Sequence, residues 1–226
     1  MSLLVDAAQP AASDTVLDVS CGPGSIVAAF AQRVSHAIGL DTTEAMLAEA
    51  RKLAAAEGLQ NVDWYLGDAY ALPFPNAHFD ITSCRFAFHH LQNPAGALQE
   101  MLRVTRPGGK IIVCDGIASE DPKKAQAFNA MERHRDPSTA EFLSLSAFAS
   151  LFKITGLSSP QITRFQLPTE RDALAEESFP ANDNRELLRR MIDQSVDGDT
   201  MGVGAYRDGP TVRFAYPSVV LVANRA

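Results

Sequence analysis

The chain is poor in cysteine, in basic clusters and in long apolar runs, and each shortage narrows what it can be. Its 226 residues include three cysteines, Cys21, Cys84 and Cys114, an odd number with no Cys-x-x-Cys spacing. That argues against a disulfide framework and fits a reducing compartment. Paired Cys/His ligand spacing is missing too, and His89 and His90 are adjacent rather than three or four apart, so no metal site is predicted. Twenty-seven acidic residues against twenty basic ones give a net charge of −7, with no Lys/Arg cluster to reverse it. This balance disfavours nucleic acid and anionic membrane surfaces as partners. No stretch approaches the length of a membrane span, and residues 1–10 lack the basic and apolar regions of a signal peptide. Repeats and low-complexity segments are also missing. The expectation is a cytoplasmic protein with a small-molecule substrate, no nucleic-acid partner and no membrane insertion. Nothing in the sequence specifies its oligomeric state.

What is present is enough apolar residue, 46%, and enough length for one large domain with a full core, 1–226. The organising stretch runs from Val16 to Ser25, an apolar strand that ends in a glycine turn and opens a helix. Gly22 and Gly24 remove Cβ atoms that would keep a ligand off the backbone. The helix opening there, over 24–35, aims free N–H groups into the turn, a corner suited to an anionic or strongly polar group. Ile26, Val27, Phe30 and Val34 form its apolar stripe.

Strands are expected over 15–20, 37–40, 62–66, 79–85 and 110–114. Helices alternate with them, one ending at Gly58 and one starting at Asn93-Pro94, with Asn as cap and Pro at the first helical position. Five such alternations with short connections imply a parallel sheet covered on both faces. After Asp115 the pattern changes. Helices are expected over 122–135, 146–155 and 184–195, a strand over 161–167, and a hairpin of 201–206 with 212–222 turning at Asp208-Gly209. No boundary separates the halves, so 14–116 is taken as the ligand-binding half and 117–226 as substrate-side helices and closing strands of the same sheet.

In such a sheet ligands bind beyond the carboxyl ends of the strands. Cys21 to Gly24, Asp41, Asp68 and the run Arg85 to His90 all fall there. Asp41 lies nineteen residues past Gly22, about where an acidic side chain would grip a ribose diol. A nicotinamide-binding turn would want a third glycine where Val27 stands, so a dinucleotide is disfavoured.

The stretch from Val16 to Ser25 resembles the first motif of class I S-adenosylmethionine-dependent methyltransferases. Gly67-Asp68-Ala69, with Leu72 to Pro75 and Phe79 to Ile81, is similar to the adenine-side motif of their ubiquinone/menaquinone-biosynthesis-like branch, the type 11 methyltransferases. Leu102 to Gly109 resembles that branch's helix-to-strand turn. The likeness covers residues 14–116. It implies a Rossmann-like, doubly wound α/β fold with a mostly parallel seven-stranded sheet and an antiparallel C-terminal strand. It also implies S-adenosylmethionine as cofactor and S-adenosylhomocysteine as product. By the same likeness Asp18 orients the glycine turn and meets the cofactor ammonium, and Cys21, Gly22 and Gly24 line its methionine moiety. Asp41 meets the ribose, with Thr42 beside it in the cofactor-binding set, Asp68 holds the adenine amino group with Ala69 and Met46 against the ring, and Arg85 and Phe86 close the methionine end. Relatives often carry several turns of helix before strand one; with fifteen residues there, a lid is reduced or comes from the second half.

Transfer needs a base only if the acceptor, through oxygen, nitrogen or carbon, must lose a proton. His89, His90 and His134 are the candidates, each with a plainer reading as a packing or surface histidine. Two other functions stay open, a nicotinamide-dependent oxidoreductase and a non-catalytic cofactor-binding protein.

Overall fold

The alternation of apolar strands and amphipathic helices carries through to the computed structural model, which describes residues 2–178 and 180–226. In chain order the elements are α1 (Ser2–Ala8), β1 (Thr15–Val19), α2 (Ser25–Ala31), β2 (His36–Asp41), α3 (Glu44–Ala56) and β3 (Val62–Leu66). There follow β4 (Phe79–Arg85), a 3-10 turn at Phe88–His90, α4 (Pro94–Val104) and β5 (Thr105–Gly116). The second half holds α5 (Pro122–Arg135), α6 (Leu145–Ile154), β6 (Gln161–Glu170), α7 (Arg171–Glu177), α8 (Arg185–Asp193), β7 (Tyr206–Asp208) and β8 (Thr211–Asn224). Among the described residues no helix is long and apolar enough to cross a membrane.

Seven strands lie in the order β3-β2-β1-β4-β5-β8-β6, and the three-residue β7 pairs with β8 as an eighth. Neighbours from β3 to β5 are parallel, while β8 runs antiparallel to both β5 and β6. Strand alternation sends successive side chains to opposite faces. Leu17, Val19, Ile38 and Leu40 therefore pack under α4 and α6, with Leu98, Met101, Phe148 and Phe152. Val16, Ala37, Ile81 and Ile112 pack under α1, α2 and α3, with Leu4, Val5, Phe30 and Leu47. A third apolar cluster joins α5, α7 and α8 to the start of β8 through Phe128, Met131, Leu188, Ile192 and Phe214.

Helix starts follow their caps. Asn93 Oδ1 accepts the Gly96 N–H at 3.1 Å, and Asp121 Oδ1 accepts the Lys123 N–H at 2.8 Å, each with proline next in the chain.

Two elements depart from the expectation. Residues 201–205 are not a strand, and the hairpin turn joins the short β7 to β8. Met201, Val203 and Ala205 are indeed buried alternately, which mimics a strand's period of two. Gly202 and Gly204 take φ of 73° and 61°, however, and the Gly204 N–H donates to Asp199 Oδ1, so the backbone turns. Helix α7 was not expected at all. Its Arg171 to Glu177 composition is helix-favouring, but it follows a strand directly with no loop to announce it.

Candidate functional site

The carboxyl ends of β1 to β5 form one edge of the sheet, and the glycine turn stands at its middle. Ser20, Gly22 and Gly24 all have positive φ, so the chain leaves β1 through a tight left-handed corner. The Cys21 N–H donates to the Leu40 carbonyl at 3.0 Å and the Gly24 N–H to the Cys21 carbonyl at 3.1 Å. The tie from β2 is Asp41. Its Oδ2 accepts the Gly22 N–H at 2.8 Å and its Oδ1 the Thr43 N–H at 2.9 Å. Asp41, rather than Asp18, holds the turn in place.

The two glycines differ in what their missing Cβ makes room for. A Cβ on Gly24 would meet Trp64 at 2.6 Å and Ala50 at 2.8 Å, so this position serves the packing of α2 on β3 and α3. A Cβ on Gly22 would meet nothing within 4 Å. Space therefore opens directly over the Gly22 backbone.

Asp18 lies beneath this turn, buried, with its Oδ1 accepting the Ser83 hydroxyl at 2.6 Å. Burial pushes its carboxyl up to about 7, against the opposing pull of the Ser83 bond and of Arg85. The Arg85 guanidinium lies 4.4 Å from the centroid of the Phe86 ring and makes no ion pair among the described residues. Phe86 has a φ of 52°, and its N–H donates to the Cys114 carbonyl at 2.7 Å. A bulky residue held in the left-handed region is a strained position of the kind that gathers at binding sites. The three cysteines are free and buried. Burial pushes Cys21 and Cys84 well up and Cys114 up to about 12.

On the other side of the turn, Thr42 and Met46 are exposed at the tip of β2 and the start of α3. An exposed methionine here is not core. Asp68 is exposed; its Oδ1 accepts the Tyr70 N–H at 2.9 Å. Ala69, by contrast, is buried among Leu40, Leu72 and Phe74. Residues 67–78 are held down by Arg103 on α4, which donates to the Leu72 and Phe74 carbonyls at 2.9 and 2.7 Å and pairs with Glu100. Glu100 in turn accepts the Leu72 N–H at 2.8 Å. The helix before Pro107-Gly108-Gly109 thus clamps the Asp68 loop. Arg103→Ala is expected to lower stability by about 1–3 kcal/mol, the usual cost of removing charged hydrogen bonds. The expected signature is earliest proteolytic cleavage within 67–78, read by limited digestion and mass spectrometry.

Past β4 the same edge opens into a cavity of about 310 Å³. Phe86 borders it on the β4 side, and Gly116, Tyr216 and Ser218 come from β5 and β8. His89 and His90 also line it, as do Arg135 and Asp136 at the end of α5 and Phe142 and Leu167 beyond. The second half of the chain therefore covers this end of the sheet. Behind Arg135, a fully buried Glu132 pairs with its guanidinium at 2.8 Å and accepts the Tyr216 hydroxyl at 2.6 Å. Burial holds the Tyr216 phenol well above its ordinary range.

Of the three candidate histidines, only the adjacent pair reaches this cavity. His134 is directed elsewhere, with Nε2 3.0 Å from the Asn184 carbonyl, where it joins α5 to the start of α8. The spacing of α5 placed His134 between two arginines but gave no sign of that partner. Asp115, Phe142, Arg135 and Tyr216 were not singled out from the sequence. Asp115 carried a signal, since it directly follows the expected fifth strand, 110–114; the other three come from elements whose place on the sheet only the topology gives.

Comparison with known proteins puts a group of relatives beside this geometry. A family described as a methyltransferase domain matches residues 17–113. YcgJ of Bacillus subtilis (strain 168), described as an uncharacterized methyltransferase, is 30% identical over 223 residues, covering 98% of this chain and 88% of YcgJ. The YcgJ crystal structure has a TM-score of 0.91 at 28% identity and covers 100% of this chain and 97% of that one. The ubiquinone/menaquinone biosynthesis C-methyltransferase UbiE of Roseobacter denitrificans is 38% identical over 129 residues, 56% of this chain and only 52% of UbiE. A geranyl diphosphate methyltransferase solved in complex with SAM shares the fold, with a TM-score of 0.68 at 16% identity over 100% of this chain and 84% of that one.

Proposed function

The chain belongs to the methyltransferase-domain family and is an S-adenosylmethionine-dependent enzyme of it; from that premise we propose that the cofactor lies across the tips of β3, β2 and β1 and that the acceptor is a small molecule at the tips of β5 and β8. The observation that carries this reading is the open space above Gly22, where a Cβ would meet no described protein atom within 4 Å. Phe86 stands between that space and the 310 Å³ cavity, so methyl transfer would take place over the tip of β4.

Each residue then has a task. The Asp41 carboxylate already takes one backbone N–H on each oxygen, and each oxygen keeps a lone pair for a ribose hydroxyl. Asp68 keeps Oδ2 for the adenine amino group, and exposed Met46 offers an apolar surface to the ring. Buried Ala69 acts from behind, shaping the loop rather than touching the ring. The methionine end meets Asp18 through its ammonium and Arg85 through its carboxylate. When bound, the sulfonium supplies an already activated methyl group, so the protein's work is positioning.

The test is a calorimetric titration with S-adenosylhomocysteine and, separately, NADH. Binding of the first and not the second is expected. Asp41→Ala is expected to weaken S-adenosylhomocysteine binding by about 1–3 kcal/mol. Unchanged affinity would reduce Asp41 to a tie for the glycine turn. NADH binding with no response to S-adenosylhomocysteine would replace the reading with that of an oxidoreductase.

A further inference from the structure

One wall of the cavity at β5 carries a histidine held from three sides. Asp115, next to last in β5, is fully buried, and its Oδ1 lies 2.7 Å from His89 Nδ1. Its Oδ2 accepts the His89 backbone N–H at 3.0 Å, so one carboxylate grips both ring and main chain. The Phe142 ring stacks on the imidazole, with centroids 4.2 Å apart and planes 11° from parallel. Phe142 is itself fixed. The buried Asn129 side chain accepts its N–H at 2.7 Å and donates to its carbonyl at 3.1 Å. Gly116 leaves room for the ring, since a Cβ there would lie 2.7 Å from it. A histidine that only opened a 3-10 turn would need none of these constraints. Its Nε2 has no protein partner among the described residues and is not sealed from solvent, and the residue lines the cavity.

We infer that His89, oriented by Asp115, is the general base of the reaction and that the methyl acceptor is the hydroxyl of a small aromatic ring. The inference rests on the methyltransferase reading above. A base is required only for an acceptor that must shed a proton. A phenolic hydroxyl, near pKa 10, is acidic enough to give its proton to a histidine during transfer, whereas an aliphatic alcohol or a carbon acid is far less so. Phe86, Phe142, Leu167 and Tyr216 make walls suited to a flat ring, and about 310 Å³ suits one or two rings rather than a long-tailed lipid.

In the step, the hydroxyl proton passes to His89 Nε2 while the O–CH3 bond forms and the S–CH3 bond breaks. The sulfonium leaves as a neutral thioether. The positive charge resides on the imidazolium beside Asp115 until its proton goes to water. The titratable and charged groups around His89 are Asp115 on β5, His90, Arg135 and Asp136 at the end of α5, and Tyr216 on β8. Burial and the neighbouring His89 ring hold His90 below its ordinary range.

Para-nitrophenol reports its own ionisation by absorbance. It is titrated at pH 6 into the full chain with S-adenosylhomocysteine present. Bound probe is expected to show a phenolate-to-phenol ratio about tenfold that of free probe, a shift of about one pKa unit. His89→Gln should abolish that excess while its S-adenosylhomocysteine affinity stays within about twofold, and His90→Gln should retain the excess. With a phenol that the parent protein methylates, His89→Gln should lower kcat by about 10²–10⁴ with KM little changed. The measurement on the parent protein does not depend on any variant folding. Equal probe ionisation in parent and His89→Gln overturns the inference, as does a parent that binds S-adenosylhomocysteine but not the probe. A parent that binds no S-adenosylhomocysteine overturns the cofactor placement instead.

Discussion

At pH 8 the Asp18→Asn protein is expected to melt about 5 °C above the parent, and to bind S-adenosylhomocysteine more weakly. Asp18 is buried with a single side-chain partner among the described residues, Ser83, and burial pushes its carboxyl up to about 7. The sign follows from linkage. The folded chain keeps a proton on Asp18 that the unfolded chain has already released between about pH 4 and pH 7. Stability therefore falls as pH rises through that window, and the full cost is present above it. Removing the charge should return on the order of 2 kcal/mol at pH 8 and almost nothing at pH 4. Asparagine keeps a donor and an acceptor for the Ser83 hydroxyl, so packing and hydrogen bonding are nearly preserved. What it lacks is the negative charge that a cofactor ammonium would neutralise. In the parent, affinity should weaken as pH falls below about 7, by up to roughly tenfold per pH unit, as protonated Asp18 must ionise to bind. In Asp18→Asn that slope should vanish. Thermal melts at pH 4 and pH 8, with calorimetry across the same range, read all of this. A variant less stable than the parent at pH 8 would mean that the Ser83 bond outweighs the desolvated charge.

That conflict between stability and binding explains part of what the sequence made legible. The strand carrying Asp18 is otherwise apolar, so a lone acidic residue in it stands out by pattern alone. The same holds for Asp41 and Asp68, which follow strands of clear periodicity. Parallel strands joined by short connections put all three on one edge, and no side-chain detail is needed to see it. Gly22 and Gly24 were legible as a turn, but their separate duties were not. Only the approach of Trp64 to Gly24, from a strand forty residues on, distinguishes the packing glycine from the open one.

The acceptor side was far less legible. Its wall comes from His89, Phe142, Arg135 and Tyr216, with Asp115 buried behind His89; these residues lie far apart in sequence and meet because β8 inserts antiparallel between β5 and β6. Gly116 pairs with Ser218 in that register, which brings Tyr216 and Ser218 beside the end of β5. Periodicity identifies a strand near 212–222 but says nothing of which neighbour it takes. His89 and His134 therefore looked equivalent as candidates. The fold separates them, one gripped by Asp115 and the other bonded to the Asn184 carbonyl.

Gly22→Val should abolish cofactor binding, with S-adenosylhomocysteine affinity down at least 100-fold, while leaving the fold in place. The branched side chain would occupy the open space over the turn, where no protein atom lies within 4 Å of a Cβ. Little within the protein is therefore displaced, and the loss falls on whatever the space receives. A second cost is conformational. Gly22 has a φ of 52°, a region that a β-branched residue enters only with strain, so stability should fall by about 1–3 kcal/mol. Gly22→Ala separates the two effects. Its strain is smaller and its methyl group shorter, so it should melt closer to the parent yet still bind S-adenosylhomocysteine at least tenfold more weakly. The Asp41 bond to the Gly22 N–H is a main-chain contact that both variants can keep, which leaves steric exclusion as the difference being measured. Full affinity in a folded Gly22→Val protein would place the cofactor away from the turn, and with it the whole assignment of the edge from β3 to β1.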